Sequence, residues 1–239
     1  MNRILFERDE ITDGTATFGG DRAEHVLKVL HGEVGQVLKT GEIDGPIGTS
    51  VITEIAASPT PSVTVRCTHA EQSPRPWVDL ILAPPRPRVM KRLLPQLAAL
   101  GVGRIFLVGA KKVEKDFWGA TLLKPANYRP LLVDGLMQAG TSILPSLELR
   151  RNFRAFVRDE LDAAAVGATR IVAHPYGAVG CAGQGTAGGD RLLLAVGPEG
   201  GWTDDEVALL EEHGFARYSL GSRILRTDTA TVALLARFM

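Results

Sequence analysis

The chain has 239 residues, 45% hydrophobic and 23% charged, with 27 basic and 27 acidic side chains. That balance suits a globular protein with a real core and excludes a disordered or low-complexity chain. No stretch reaches the ~18 apolar residues of a membrane span, and MNRILFERDE has no apolar leader run, so a cytoplasmic protein with no membrane partner is expected.

The cysteines, Cys67 and Cys181, make no metal or redox spacing, and no metal is expected. The zero net charge hides a strong asymmetry. Residues 1–72 carry 6 basic and 11 acidic side chains, residues 73–158 carry 15 and 5, and residues 159–239 carry 6 and 11. A neutral chain with a basic middle can present a basic face to an anionic partner, although solvated surface Lys and Arg give the same count.

In chain order, residues 3–6 read as a strand and residues 21–31 (DRAEHVLKVLH) as a helix with Val26, Leu27, Val29 and Leu30 on its apolar side. Strands follow at 34–39, 47–55 and 62–67, broken by GEIDGPIG and SPTPS. This is a small, barrel-like β unit over residues 1–70, and the polar, proline-bearing residues 71–76 form the linker. From residue 77 the pattern changes to short apolar runs alternating with helices: strands at 78–83, 104–108, 147–149, 169–173, 192–196 and 217–220. The helices fall at 89–100, 122–140, 152–162, 203–213 and 227–238. Alternation of this kind predicts an α/β domain with a largely parallel sheet covered on both faces. Pro95 should kink or shorten the first of these helices. Asn152 can cap the third, and Thr203 with Glu206 makes a capping box for the fourth. Residues 176–190, YGAVGCAGQGTAGGD, read as a flexible surface loop.

Three strand ends carry the chemistry. They are His174-Pro175 after 169–173, Gly197-Pro198-Glu199-Gly200-Gly201 after 192–196, and Leu220-Gly221-Ser222-Arg223-Ile224-Leu225-Arg226-Thr227 after 217–220. Open α/β sheets bind ligands at the carboxyl ends of their strands. Neither glycine run has phosphate-loop or dinucleotide spacing, and Glu199 sits where a polyphosphate needs amides and no negative charge. The junction suits a ligand gripped by backbone groups with a neutral or positive moiety near a carboxylate. Adenosine with a sulfonium and an amino-acid tail fits, with Leu194, Val196, Leu220, Ile224 and Leu225 as apolar walls. The plainer reading is a set of turns in which Glu199 pairs with Arg223 or Arg226.

VGPEGGWTDDEVALLEEHGF and SLGSRILRTDTATVALLA closely resemble the C-terminal signature of the bacterial 16S rRNA uridine-N3 methyltransferase family, of the SPOUT superfamily. AEHVLKVLHGEVGQVL resembles that family's PUA-like RNA-binding domain. The resemblance is specific over residues 193–236 and weaker in the middle, where Ala99 stands for a usual Glu and Thr141 for a usual Arg. It implies an N-terminal PUA-like β-barrel, then a SPOUT domain over 77–239 with a parallel sheet and a C-terminal trefoil knot. It also implies S-adenosyl-L-methionine bound among the knot loops, and a homodimer whose active site uses both protomers. Carried over position by position, the cofactor-binding residues are His174, Pro175, Leu194, Gly197, Pro198, Glu199, Gly200, Gly201, Leu220, Gly221, Ile224, Leu225, Arg226 and Thr227.

The uridine N3 proton is weakly acidic, so methylation at N3 needs the developing charge stabilised or the proton removed. Arg226, supported by Arg223, is the expected catalytic group, against an ion pair of Arg226 with Asp228 or Glu199. Thr227 and Thr229 can cap the last helix. Trp202 reads as a core anchor, His25 as structural, and His31 and His213 as surface residues. Ribosomal RNA, or the small ribosomal subunit, is the expected partner. Docking would draw on Arg22, Lys28, Arg86, Arg88, Lys91 and Arg92, then Lys111, Lys112, Lys115, Arg150, Arg151 and Arg154. A SPOUT enzyme with a different RNA target and a catalytically silent RNA-binding assembly factor stay open as alternatives.

Overall fold

The computed structural model describes residues 2–56, 60–176 and 191–239. The loop expected at 176–190 lies, but for Tyr176, outside the described residues. The chain divides into two compact units, one of residues 1–75 with 133–144, the other of residues 76–132 with 145–239. The capture of 133–144 by the first unit departs from a second domain running unbroken over 77–239.

The first unit holds six strands, β1 (Ile4–Phe6), β2 (Ile11–Thr12), β3 (Thr15–Gly19), β4 (Val37–Glu42), β5 (Ile47–Ala56) and β6 (Ser62–Glu71), in the order β1-β4-β5-β6-β3-β2. Only β1–β4 is parallel; the other pairs are antiparallel. The strand expected at 34–39 lies three residues later, because Val34 is exposed and Leu38 and Thr40 are the residues that point inward. Helix α1 (Gly20–Glu24) continues as a π-turn over His25–Val29, and His31 takes φ +50, ending the helix. Ile4, Phe6, Phe18, Val26, Ile52, Val63 and Val65 fill the core.

A buried polar chain runs beside that core. The Thr40 hydroxyl meets Ser50 Oγ at 2.6 Å and His69 Nε2 at 2.8 Å, while His69 Nδ1 faces Glu42 at 3.7 Å. Burial pushes the His69 pKa below its ordinary 6.5, against the opposing pull of Glu42. The folded state therefore holds the ring neutral, and the unfolded chain takes up the proton more readily. The stability from this site is complete above about pH 6.5 and is lost as pH falls through the lowered folded value. Expected result: the urea midpoint of the wild type drops as pH falls below 6.5, and His69→Gln flattens that drop. Glu10, held low chiefly by its hydrogen bond from Arg22, titrates below the ordinary 4.5 and does not interfere.

The second unit is built on an all-parallel sheet, β7 (Val78–Leu82), β8 (Val102–Val108), β9 (Ser146–Arg150), β10 (Thr169–Ala173), β11 (Leu192–Val196) and β12 (Ala216–Tyr218). The order is β12-β10-β11-β7-β8-β9. The chain steps outward from β7 through β9, jumps to β10 on the other side, then inserts β11 between β7 and β10. Strands β7 and β11 are buried at every position, and apart from Asp79 on β7 all their side chains are apolar.

Helix α2 (Pro87–Ala99) contains Pro95 and continues past it to Ala99, so of the expected kink or shortening the shortening does not occur. Its buried Met90, Leu93, Leu94, Leu97 and Ala98 lie on both sides of the proline and hold the helix together by packing. Helix α3 spans Pro125–Ala139, and Asn152 accepts from the amide of Ala155 at 3.1 Å, opening a short α4 (Phe153–Ala155), a π-turn and α5 (Leu161–Ala164). Helix α6 (Asp204–Glu212) starts with the expected Thr203–Glu206 capping box. Helix α7 is Thr227–Phe238. Among the described residues no helix is long and apolar enough to cross a membrane, and no group of three His, Cys, Asp or Glu is placed to hold a metal. His213 is partly buried rather than on the surface, its Nδ1 2.9 Å from Asp162 Oδ2.

Candidate ligand cleft at the carboxyl edge of the sheet

Strands β10, β11 and β12 end side by side, and the loops that leave them enclose a cleft of about 460 Å³. That size lies within the ~300–1,000 Å³ of small-molecule sites, and the place is where the strand order reverses. The first loop is anchored by the His174 amide, which donates to Tyr218 O at 3.0 Å. In the second, the Gly201 amide donates to Pro198 O at 2.8 Å, with Gly201 at φ +68, so the turn needs a residue tolerant of that region. In the third, Gly221 (φ +116) donates its amide to Ser219 Oγ at 3.1 Å.

Long-range contacts fix the glycine loop from outside. Glu199 Oε1 accepts from the Arg86 amide at 3.2 Å, and Lys112 Nζ donates to Gly200 O at 2.7 Å. A side chain at position 200 would strike the Lys112 chain, so a glycine there lets Lys112 lie flat across the loop. Thr227 Oγ1 donates to Gly197 O at 3.3 Å. This replaces the expected cap: the N-cap of α7 is Arg226, and Thr227 sits inside the first turn with its hydroxyl turned to the glycine loop.

Of the sequence-named residues, His174, Pro175, Gly197, Pro198, Glu199, Gly200, Gly201, Leu220, Gly221, Ile224, Leu225, Thr227 and Arg223 line the cleft. Leu194 does not. It is fully buried two residues below Val196 on β11, paired with Ile171 and Leu80. Arg226 does not either; it is exposed at the start of α7. Glu199 pairs with neither arginine, and Asp228 faces Arg92 at 3.5 Å, so the ion pairs weighed for Arg226 and Arg223 are not formed. Lys112, Tyr176, Trp202, Asp204 and Tyr218 line the cleft and were not read as cofactor residues. Trp202 is 5% exposed and packs on Phe153 at 5.2 Å, as a core anchor should, yet its Nε1 has no hydrogen-bond partner among the described residues.

The residues named for RNA divide differently. Arg22 is committed within its own unit, to both Glu10 oxygens and Leu5 O, beneath the Phe6 and Phe18 rings. Lys28 pairs with Glu24, one turn away. Arg86 pairs with Glu114 at 3.0 Å, while Arg88 and Lys91 are exposed with no ion pair among the described residues.

A parallel α/β unit with an apolar-walled cleft at its carboxyl edge has the form of a small-molecule binding protein. The chain belongs to the RNA methyltransferase domain family, whose model matches residues 71–239. It is similar over 99% of its length to the ribosomal RNA small subunit methyltransferase E of Treponema pallidum, at 29% identity and covering 90% of that protein. A Synechocystis protein of the same name is 25% identical, over 98% of this chain and 76% of the relative. Among solved structures, a methyltransferase of Legionella pneumophila in complex with the bound cofactor SAM matches at TM-score 0.77 and 25% identity, covering 99% of this chain and 96% of that one. The Neisseria gonorrhoeae ribosomal RNA small subunit methyltransferase E, bound to S-adenosyl methionine, shares the fold at TM-score 0.75 and 22% identity, covering 99% and 96%.

Proposed function

We propose that the chain is an S-adenosylmethionine-dependent methyltransferase acting on N3 of a uridine in 16S ribosomal RNA. The observation that carries the reading is the cleft itself, lined by glycine-loop backbone and apolar side chains together with the carboxylates of Glu199 and Asp204 and the guanidinium of Arg223. Leu220, Ile224 and Leu225 line it while 39%, 75% and 38% exposed, which is costly surface until a ligand covers it. The names of the relatives and the bound cofactor of the Legionella structure point the same way.

The residues present fit that cofactor. Val196, Leu220, Ile224 and Leu225 offer walls for a purine and ribose, and the backbone at 197–201 offers donors and acceptors. Glu199 offers a negative group for the cationic end. The cofactor supplies a methyl group on a sulfonium. The chain supplies position, and holding the base in line accounts for a large part of the acceleration. Arginine does not act as a base at neutral pH but stabilises an anion. Arg226, with Arg223 beside it, is the group proposed to face the developing charge at uridine O2 or O4. Among the described residues neither guanidinium is engaged in an ion pair, so both are free to turn to a substrate.

The RNA-facing surface is proposed to run from Arg86, Arg88, Lys91 and Arg92 to Lys111, Lys112 and Arg154. Exposed pairs such as Arg86–Glu114 are weak, and a phosphate can take the carboxylate's place. Insertion of β11 between β7 and β10, with α7 tied to the loop after β11, supports a C-terminal trefoil knot. A PUA-like first unit and a homodimer complete the reading; Arg226, exposed outside its own cleft lining, suits a site shared between protomers. Two binding measurements test it. Calorimetry should give one S-adenosylmethionine per chain, and the affinity for small-subunit RNA should fall steeply with salt, by a log–log slope of about −0.7 to −0.9 per phosphate contacted. No cofactor heat, or a flat salt response, would contradict it.

A further inference from the structure

We infer that the Trp202 indole N–H is a ligand-binding donor of the cleft, directed at a neutral acceptor nitrogen of the ligand's heterocycle. The inference rests on the cofactor reading above and adds a residue to it. Trp202 is 5% exposed, and its Nε1 is buried without a partner among the described residues. Native interiors seldom leave such a donor unpaired, because it has given up water for nothing. Trp77 shows the ordinary solution, its Nε1 donating to Leu100 O at 2.8 Å.

The position says what the partner is. Trp202 lines the cleft, and a Cβ placed on Gly197 would come within 3.2 Å of both Cδ1 and Nε1 of the indole. The edge that carries the N–H therefore lies against Gly197, itself part of the cleft lining. Phe153 holds the ring at 5.2 Å. Trp202 belongs with Phe153 to one apolar core cluster. A carboxylate or phosphate brought here would shed its hydration against one neutral donor, at a net loss. A ring nitrogen of a purine is already neutral and needs a single donor. The charged ends of a ligand have their own partners at the rim, in Arg223, Lys112 and Glu199.

The test uses the full chain with ¹⁵N-labelled indoles, titrated with S-adenosylmethionine. The Trp202 Nε1–H resonance should move downfield and the Trp77 resonance should stay. Trp202→Phe keeps a ring on Phe153 and removes the donor, and its dissociation constant should rise about five- to tenfold. Among cofactor analogues with one purine nitrogen replaced by carbon, one should lose the same factor on the wild type and nothing on Trp202→Phe. If that variant does not fold, the wild-type resonance and analogue series decide alone. An unmoved Trp202 resonance in a protein that binds the cofactor, or a variant that binds like wild type, overturns this inference and leaves the cofactor reading standing. A wild type that binds no cofactor overturns both.

Discussion

Arg226→Ala should lower kcat for methyl transfer by a factor of ~100–1,000 and change the cofactor dissociation constant by no more than about twofold. The guanidinium is exposed at the N-cap of α7, outside the cleft lining, and no ion pair occupies it among the described residues. Its loss therefore removes no wall of the cofactor site and no structural pair. What it removes, on the proposed reading, is the cation that stabilises the charge developing on the base. An interaction made only in the transition state appears in kcat and in kcat/KM alike, with cofactor binding spared. Arg226→Lys keeps the charge without the planar fork and should fall between the two. Arg223→Ala, inside the lining, should raise the cofactor dissociation constant as well. Loss of cofactor binding in Arg226→Ala would move this residue from the chemistry to the cofactor site.

The largest effect on stability is expected at Asp79, far from the cleft. Its carboxylate is 2% exposed at the start of β7 and takes four donors. Arg104 gives its amide at 2.9 Å, Nε at 2.9 Å and Nη2 at 2.6 Å, and Arg191 gives Nη2 at 2.6 Å. Gly103 makes this possible, because any side chain there would collide with the Arg191 guanidinium. Removing the carboxylate leaves two cations crowded together, one of them largely enclosed. Asp79→Ala should cost ~3–5 kcal/mol, the range for breaking one partner from a buried pair. The urea midpoint of the second unit should fall by about 1–2 M with an unchanged slope. A shift under ~0.3 M would mean that solvent already screens the cluster.

These expectations differ in how far the chain itself discloses them. The buried strands β7 and β11 are largely plain in the sequence, since a parallel sheet covered on both faces demands apolar runs, broken here only by Asp79, whereas β10 keeps Thr169 exposed. The loops of the cleft are equally plain, because glycines at strand ends are local signals. Helix α7 was read at both ends, 227 and 238, from its apolar period. What escaped was settled at long range. Lys112 and Gly200 are 88 residues apart in the chain, and nothing in either neighbourhood announces their contact. Arg22 reads as a free cation until the fold brings Glu10 and two phenylalanine rings to it. Strands β2 and β3 were missed because ITDGTATF is short and polar, and only pairing with β6 gives it a sheet to join. Pro95 reads locally as a kink or an early end, and packing on both sides of it carries the helix on to Ala99.

The central claim is that the cleft at the carboxyl edge of the parallel sheet delivers a methyl group to a uridine of small-subunit RNA. Its most direct test is transfer of label from methyl-tritiated S-adenosylmethionine to small ribosomal subunits from cells lacking this protein, followed by nucleoside analysis. The account predicts label in N3-methyluridine with wild-type protein and none above background with Arg226→Ala. Label confined to another nucleoside, or none at all from a protein that binds both cofactor and RNA, would contradict it.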